Sequence, residues 1–324
     1  MTDNEFLLFD RITKIRSVFN QYGIDNFYIS FSGGKDSTVL SYLIDLALPD
    51  NKIPRVYANT GIEMNMIRDF VLDMQKKDDR IVIIKPSVPI KPTLEKYGYP
   101  FKSKRHSSLL ETYQKYKTLE GRIGIQHYLG VSEDGISWSP IATCPEKLKF
   151  QFSPDYPLKI SDKCCEMMKE RPMGKWAKEN NKPYAIIGIM RDEGGRRYNA
   201  ECLAFRGKKL FAFQPLSPVT KEWEDWFIEE YKIKVCDIYY PPYNFVRTGC
   251  KGCPFALTLQ RDLDILEQYF PNERKQCEII WKPVYEEYRR LGYRLKPVGA
   301  EQEEHDPRQM TFDDLFDEQG NYIR

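Results

Sequence analysis

No uninterrupted apolar run of about 18 residues or more occurs in the chain, which argues against a membrane-spanning helix. The opening residues, MTDNEFLLFD, lack the basic n-region of a secretory signal. The expected compartment is therefore the cytoplasm, with no membrane partner. Excess charge of one sign is missing as well. Lys plus Arg number 49 against 47 Asp plus Glu, a balance of +2, so bulk charge does not mark a nucleic-acid binder. There is no fixed-period repeat and no low-complexity tract.

What is present is a chain of 324 residues, long enough to bury a substantial core without cross-links. In a reducing compartment its eight cysteines read as ligands, nucleophiles or small buried apolar groups rather than as disulfides. Lys102 to His106 (KSKRH), the pair Lys147 and Lys149, and Arg206 to Lys209 (RGKK) could touch a phosphate backbone, though such clusters are more often solvated faces. Aromatic content of 14% suits a thick core or stacking on bases equally.

Leu8, Ile12, Ile15 and Phe19 recur at helical spacing and Gly23 follows, which predicts an amphipathic N-terminal helix over residues 1–22. FYISF, RVYANTG and RIVIIKPS read as strands with helical segments between them, and YAIIGIM and LFAFQPL as later strands. The alternation predicts an α/β fold: an open, mostly parallel twisted sheet with helices on both faces and right-handed crossovers. Residues 91–160 look like an insertion. Helical patterns follow at DKCCEMMKERPMGKWAKEN, EWEDWFIEEYKI, RDLDILEQYF and RKQCEIIWKPVYEEYRRLG, and an acidic, polar stretch ends the chain. The expected division is 1–22, 23–258 as the catalytic domain, and 259–324 as C-terminal helices and tail.

Directly after the first strand comes Ser32-Gly33-Gly34-Lys35-Asp36-Ser37. A strand-to-helix turn at the carboxyl edge of a parallel sheet aims backbone N–H groups at an anion. The two glycines permit torsions and approaches that a Cβ would block, the two serines offer hydroxyls, and Lys35 adds positive charge. Asp36 suits the helix start and could help hold a magnesium ion. The turn is neither the longer Walker loop nor a dinucleotide fingerprint.

SGGKDS after an apolar strand resembles the PP-loop of ATP pyrophosphatases and sulfonucleotide reductases. The resemblance implies an adenine nucleotide alpha hydrolase-like fold that binds ATP or a related adenine nucleotide. Thr60-Gly61, after the second strand, is similar to a second loop near the nucleotide in that superfamily.

Cys164 and Cys165 are adjacent, and Cys250 and Cys253 form a Cys-x-x-Cys pair 85 residues beyond Cys165. Cys-x-x-Cys lets two sulfurs converge on one metal or cluster. The full set resembles the 4Fe-4S site of assimilatory adenylyl-sulfate reductases, with zinc or plain structural cysteines as the alternatives. CCEMMKERPM resembles that family's cluster segment and makes Lys169 the counterpart of a lysine between cluster and substrate anion. IIGIMRDEGGRR resembles its arginine-bearing strand end, offering Arg191 and, beyond it, Arg196 and Arg197. Cys144, Cys202, Cys236 and Cys277 stand alone and suit packing.

The reductases of this family end in a mobile segment carrying a nucleophilic cysteine, whereas this chain has no cysteine after Cys277. Without a low-pKa thiolate the reductase reaction has no first step. A second branch, similar to the DNA phosphorothioation protein DndC, keeps the turn and the cysteines. That resemblance implies ATP-dependent adenylation of a substrate for sulfur transfer, with Lys35, Asp36, Lys169 and Arg191 as catalytic groups. The implied partners are an adenine nucleotide, a nucleic-acid acceptor and a sulfur donor such as a cysteine desulfurase. The alternatives are a sulfonucleotide reductase using Cys277 or Cys202, and a non-catalytic nucleotide-binding redox module. In the tail, Gln309, Phe312, Leu315 and Phe316 have a spacing similar to sliding-clamp-binding peptides.

Overall fold

The computed structural model describes residues 1–132, 143–193 and 197–297. Thr2 opens α1 (Asp3–Tyr22) with a reciprocal capping box to Glu5, and Gly23 closes it at φ 78°. The helix buries Leu8, Ile15, Val18 and Phe19. Phe19 meets Phe27 of β1 edge to face, with ring centroids 4.8 Å apart.

The strands are β1 (Phe27–Phe31), β2 (Arg55–Ala58), β3 (Ile81–Ile84), β4 (Tyr184–Ile186), β5 (Leu203–Arg206) and β6 (Lys209–Phe213). They form one sheet in the order β3-β2-β1-β4-β6-β5. All pairs are parallel except the β5–β6 hairpin. The sequence reading missed β5. Its hairpin turns at Gly207, φ +61°, so the RGKK cluster is the tip of an edge hairpin.

Alternation along β1 and β2 sends Phe27, Ile29, Phe31 and Tyr57 to one face of the sheet. There they pack with α1, with α2 (Lys35–Ala47), with Val71 of α3 (Asn65–Gln75) and with α10 (Lys221–Glu230). Tyr28 and Val56 point to the other face, under Met173 and Ala177 of α9 (Arg171–Glu179). Helices on both faces of a mostly parallel sheet match the expected fold class.

The 91–160 segment carries α4 (Ile90–Tyr97), α5 (Lys104–Tyr116), α6 (Ile123–Leu129) and α7 (Glu146–Lys149). These share a second core with α11 (Leu259–Tyr269) and α12 (Pro271–Leu291), so insertion and C-terminal helices stand together rather than apart. In that core His106 lies fully buried between Tyr128 and Gln151. Burial, aided by Lys102, pushes its pKa down to about 3 and keeps the ring neutral. No helix among the described residues is long and apolar enough to cross a membrane. Gln309, Phe312, Leu315 and Phe316 lie outside the described residues.

Candidate functional site

The turn after β1 is built largely by its own side chains. Ser32 N–H donates to Ser37 Oγ at 3.2 Å, the two serine hydroxyls meet at 3.0 Å, and Gly34 N–H donates to Ser32 Oγ at 3.2 Å. Gly34 is the N-cap of α2, in extended backbone. Gly33 has φ +72°, and a Cβ there would come within 2.5 Å of Val71 Cγ2. Its missing side chain thus admits the close approach of α3. Above Gly34 lie the hydroxyls of Tyr239 and Thr248, which hydrogen-bond each other. The Lys35 backbone N–H donates to Tyr239 Oη at 3.2 Å.

The Lys35 ammonium is turned away, toward α10. It donates to Asp225 at 2.8 Å and stands 3.1 Å from Glu224 Oε2. That second contact is an ion pair without hydrogen-bond geometry, and both Glu224 oxygens lack a donor among the described residues. Burial and the nearby Asp36 push the Glu224 carboxyl up to about 7, against the pull of Lys35. Burial lowers the lysine pKa, but Glu224 and Asp225 overcome this and hold it above its ordinary value.

In the Thr60-Gly61 loop, Thr60 is tied to Glu63. Thr60 N–H donates to the Glu63 carboxylate at 3.1 Å and its hydroxyl also bonds Glu63. Glu63 bridges Cys250 in antiparallel fashion, and Lys251 N–H donates to Ile62 O at 2.7 Å. The loop after β2 therefore positions the Cys-x-x-Cys segment.

That segment is gripped from its other side by α12. Trp281 Nε1 donates to Lys251 O at 2.9 Å, the Tyr285 hydroxyl to Gly252 O, and the Tyr288 hydroxyl to Pro254 O at 2.9 Å. Residues four and then three apart share one helix face, so one stripe of α12 satisfies three carbonyls of the segment, those of Lys251, Gly252 and Pro254. Gly252, φ +58°, has no room for a Cβ between Tyr285 and Cys277. Beneath the segment lies a buried ion pair, Lys251 with Glu273 at 3.0 Å, whose carboxylate also accepts from Asn65 N–H.

Cys164 and Cys165 lie in α8 (Lys163–Cys165), followed by a π-helical turn, Glu166–Glu170, and then α9. Pro172 accounts for the wide turn, since it has no N–H for Met168 O and its ring crowds that carbonyl. The turn carries Lys169. The charge of Cys250, partly opposed by burial, raises the Lys169 pKa, and Glu63, Cys165 and Cys253 add to it. Burial raises the Cys250 thiol, against the pull of Lys169, and pushes Cys253 up to about 12. The neighbouring Cys165, with burial, pushes the Cys164 thiol up, and the contact with Cys164, aided by Lys104 and Lys169, lowers that of Cys165 against burial.

The four sulfurs, drawn from two segments 85 residues apart, thus feel one another's charge, and three of them raise the pKa of one ammonium, Lys169. Among the described residues all eight cysteines are unbridged, and no group of three or more His, Cys, Asp or Glu side chains is arranged to hold a metal ion. The thiols gather without converging on a single point. Between them and the turn lies a cavity of about 100 Å³, lined by Ser30, Ser32, Tyr57, Glu63, Lys169 and Thr248 among others.

Residues 26–127 and 106–256 match the model of the phosphoadenosine phosphosulfate reductase domain, an extent well over half of the chain. The chain belongs to that family. Its structure is similar to a phosphoadenylyl-sulfate (PAPS) reductase from Candida auris in a phosphate complex, at 12% identity, 70% of this chain, 82% of that one and a TM-score of 0.41. It is also similar to the U34-tRNA thiolase NcsA from Methanococcus maripaludis with its 4Fe-4S cluster, at 16% identity, 86% of this chain, 80% of that one and a TM-score of 0.37. No match was found among curated proteins.

In this PAPS reductase-family chain Arg191, Cys202 and Cys277 are not among the residues that line the cavity. Arg191 is exposed beyond β4, donates to Ala200 O at 2.6 Å and does not line the cavity. Arg196 lies outside the described residues. Cys277 is fully buried and packed against Gly252, with its thiol pushed by burial up to about 12; it is no exposed thiolate. Cys202 is half-buried against α1, where Arg11 Nη1 lies 3.8 Å from its sulfur.

Sequence reasoning missed Glu224, Tyr239, Tyr57 and the α12 stripe. Glu224 had a signal, because it sits between Trp223 and Phe227 on the apolar face of α10. Tyr239 and Tyr57 had none.

Proposed function

We propose that this PAPS reductase-family chain is an ATP-dependent adenylating enzyme of the sulfurtransferase type, with Cys164, Cys165, Cys250 and Cys253 holding a 4Fe-4S cluster. The observation that carries the reading is the cavity shared by Ser32 and Lys169, which joins the anion-binding turn to the cysteine neighbourhood. The donor set fits such a group: four thiols suit iron-sulfur ligation far better than a hard cation. A four-iron cluster also spreads its thiolates more widely than one ion does, in keeping with thiols that gather without meeting.

In this reading the turn cradles the β- and γ-phosphates of ATP on the α2 N-terminus, with Ser32 and Ser37 as hydroxyl donors. Lys169, on the cavity wall, offsets charge at the α-phosphate as the acceptor oxygen attacks and pyrophosphate leaves. Lys35 reaches the departing pyrophosphate after leaving Glu224 and Asp225, and a magnesium ion, which Asp36 would help hold, would offset charge on the phosphates. When bound at these four thiolates, the cluster would supply sulfur relay or a fixed pocket wall. A nucleic acid is the proposed acceptor, and a cysteine desulfurase the proposed sulfur donor.

The test is pyrophosphate release from ATP by anaerobically prepared protein, with DNA, RNA and small acceptors. Release that needs an acceptor supports the reading, and absence of turnover with every acceptor counts against it. The reductase alternative needs a reactive thiolate, which the burial of Cys277 disfavours; sulfite release from adenylyl sulfate, abolished by Cys277→Ser, would restore it.

A further inference from the structure

We propose that Tyr57 is a substrate-binding residue whose hydroxyl donates to a tetrahedral oxyanion, the α-phosphoryl group of the nucleotide or a sulfate, held in the cavity between Ser32 and Lys169. The inference rests on the reading of that cavity given above, and adds to it a residue and the kind of group it grips.

Tyr57 lies near the carboxyl end of β2, in register with Phe31 of β1 and so beside the entry to the anion turn. Its side chain is 2% exposed, yet its hydroxyl has no hydrogen-bond partner among the described residues. A buried phenol left in that state destabilises a fold, whereas phenylalanine would fill the same space without the loss. Tyr57 is among the residues that line a cavity of about 100 Å³, together with Lys169, Ser30, Ser32 and Thr248. One cation and several hydroxyl donors around a volume of that size match an oxyanion. The acid on the same wall, Glu63, is already engaged by Thr60. Burial and the Glu63 charge hold the phenol protonated far above neutral pH, so it acts as a donor.

The experiment compares the anaerobically purified full chain with Tyr57→Phe, by calorimetry with ATP, pyrophosphate and inorganic sulfate, and by thermal unfolding without ligand. If Tyr57 grips the α-phosphoryl group, the variant loses about tenfold in ATP affinity, the worth of one hydrogen bond to a charged group, while pyrophosphate binding is unchanged. If the oxyanion is sulfate, the loss falls on sulfate instead. In both cases the ligand-free variant melts at the same temperature or higher. Wild type and variant binding all three ligands equally would overturn the role of Tyr57 and leave the nucleotide reading standing. A variant that melts lower without ligand would make the residue structural. Wild type that binds neither ATP nor sulfate would remove both.

Discussion

The backbone N–H of Lys35 donates to the hydroxyl of Tyr239 at 3.2 Å, so a side-chain oxygen occupies the first turn of the helix where an anion's oxygen would sit. The contact comes from 204 residues away in sequence. Binding at this turn therefore involves displacing a protein group, not only dehydrating bare N–H groups. Tyr239→Phe removes that competitor. It is expected to bind pyrophosphate a few-fold more tightly, about 1 kcal/mol, by calorimetry; weaker binding would show that the phenol assists the anion instead.

Glu224 gives a pH signature of opposite sense to an ordinary carboxylate. The unfolded side chain releases its proton near 4.5 and the folded one only near 7. Between these values the folded state holds more protons, so stability falls as pH rises from about 4.5 to about 7 and then levels. The drop is on the order of 3 kcal/mol. Urea unfolding at a series of pH values should show it in wild type and a flatter profile in Glu224→Gln; identical slopes would remove Glu224 as the source.

The grip of α12 on the cysteine segment is testable through Tyr285. Tyr285→Phe deletes the donor to Gly252 O and leaves a buried carbonyl unsatisfied, a loss of about 1 to 3 kcal/mol. The unfolding free energy should drop by that amount and bound iron should be released faster to a chelator. An unchanged release rate would separate the helix from the metal site.

Gly33→Ala tests whether the first glycine is structural. The substitution strains a φ of +72° and drives a methyl to 2.5 Å from Val71, so a loss of at least about 1 to 2 kcal/mol is expected. Val71→Ala in the same chain should recover part of it. No recovery would place the strain in the backbone alone.

Much of this site could be read from the sequence because its signals are local. Ser32 to Ser37 carry their meaning in consecutive residues, and Cys250 and Cys253 in a fixed spacing. The adjacent Cys164 and Cys165 were legible only through resemblance. Thr60 was found at the right place after β2, while its bond to Glu63 and the bridge of Glu63 to Cys250 were not legible, because the bridge depends on tertiary pairing. Lys35 was assigned to the phosphates from its position in the turn, and no local pattern shows that α10 brings Glu224 and Asp225 to it. The central strands were clear from their apolar runs, while β5 was not, since its burial alternates weakly at the sheet edge. The insertion was opaque for a related reason: its helices bury their faces against α11 and α12, more than a hundred residues later in the chain.

The claim on which the account turns is that four thiols from two distant segments serve one iron-sulfur site beside the nucleotide turn. The most direct measurement is the iron content and visible absorption of the anaerobically purified full chain beside its Cys250→Ser variant. The account predicts a coloured protein with about four iron per chain, and loss of both colour and iron in the variant. A colourless, iron-free wild type, or a variant that keeps its iron, would contradict it.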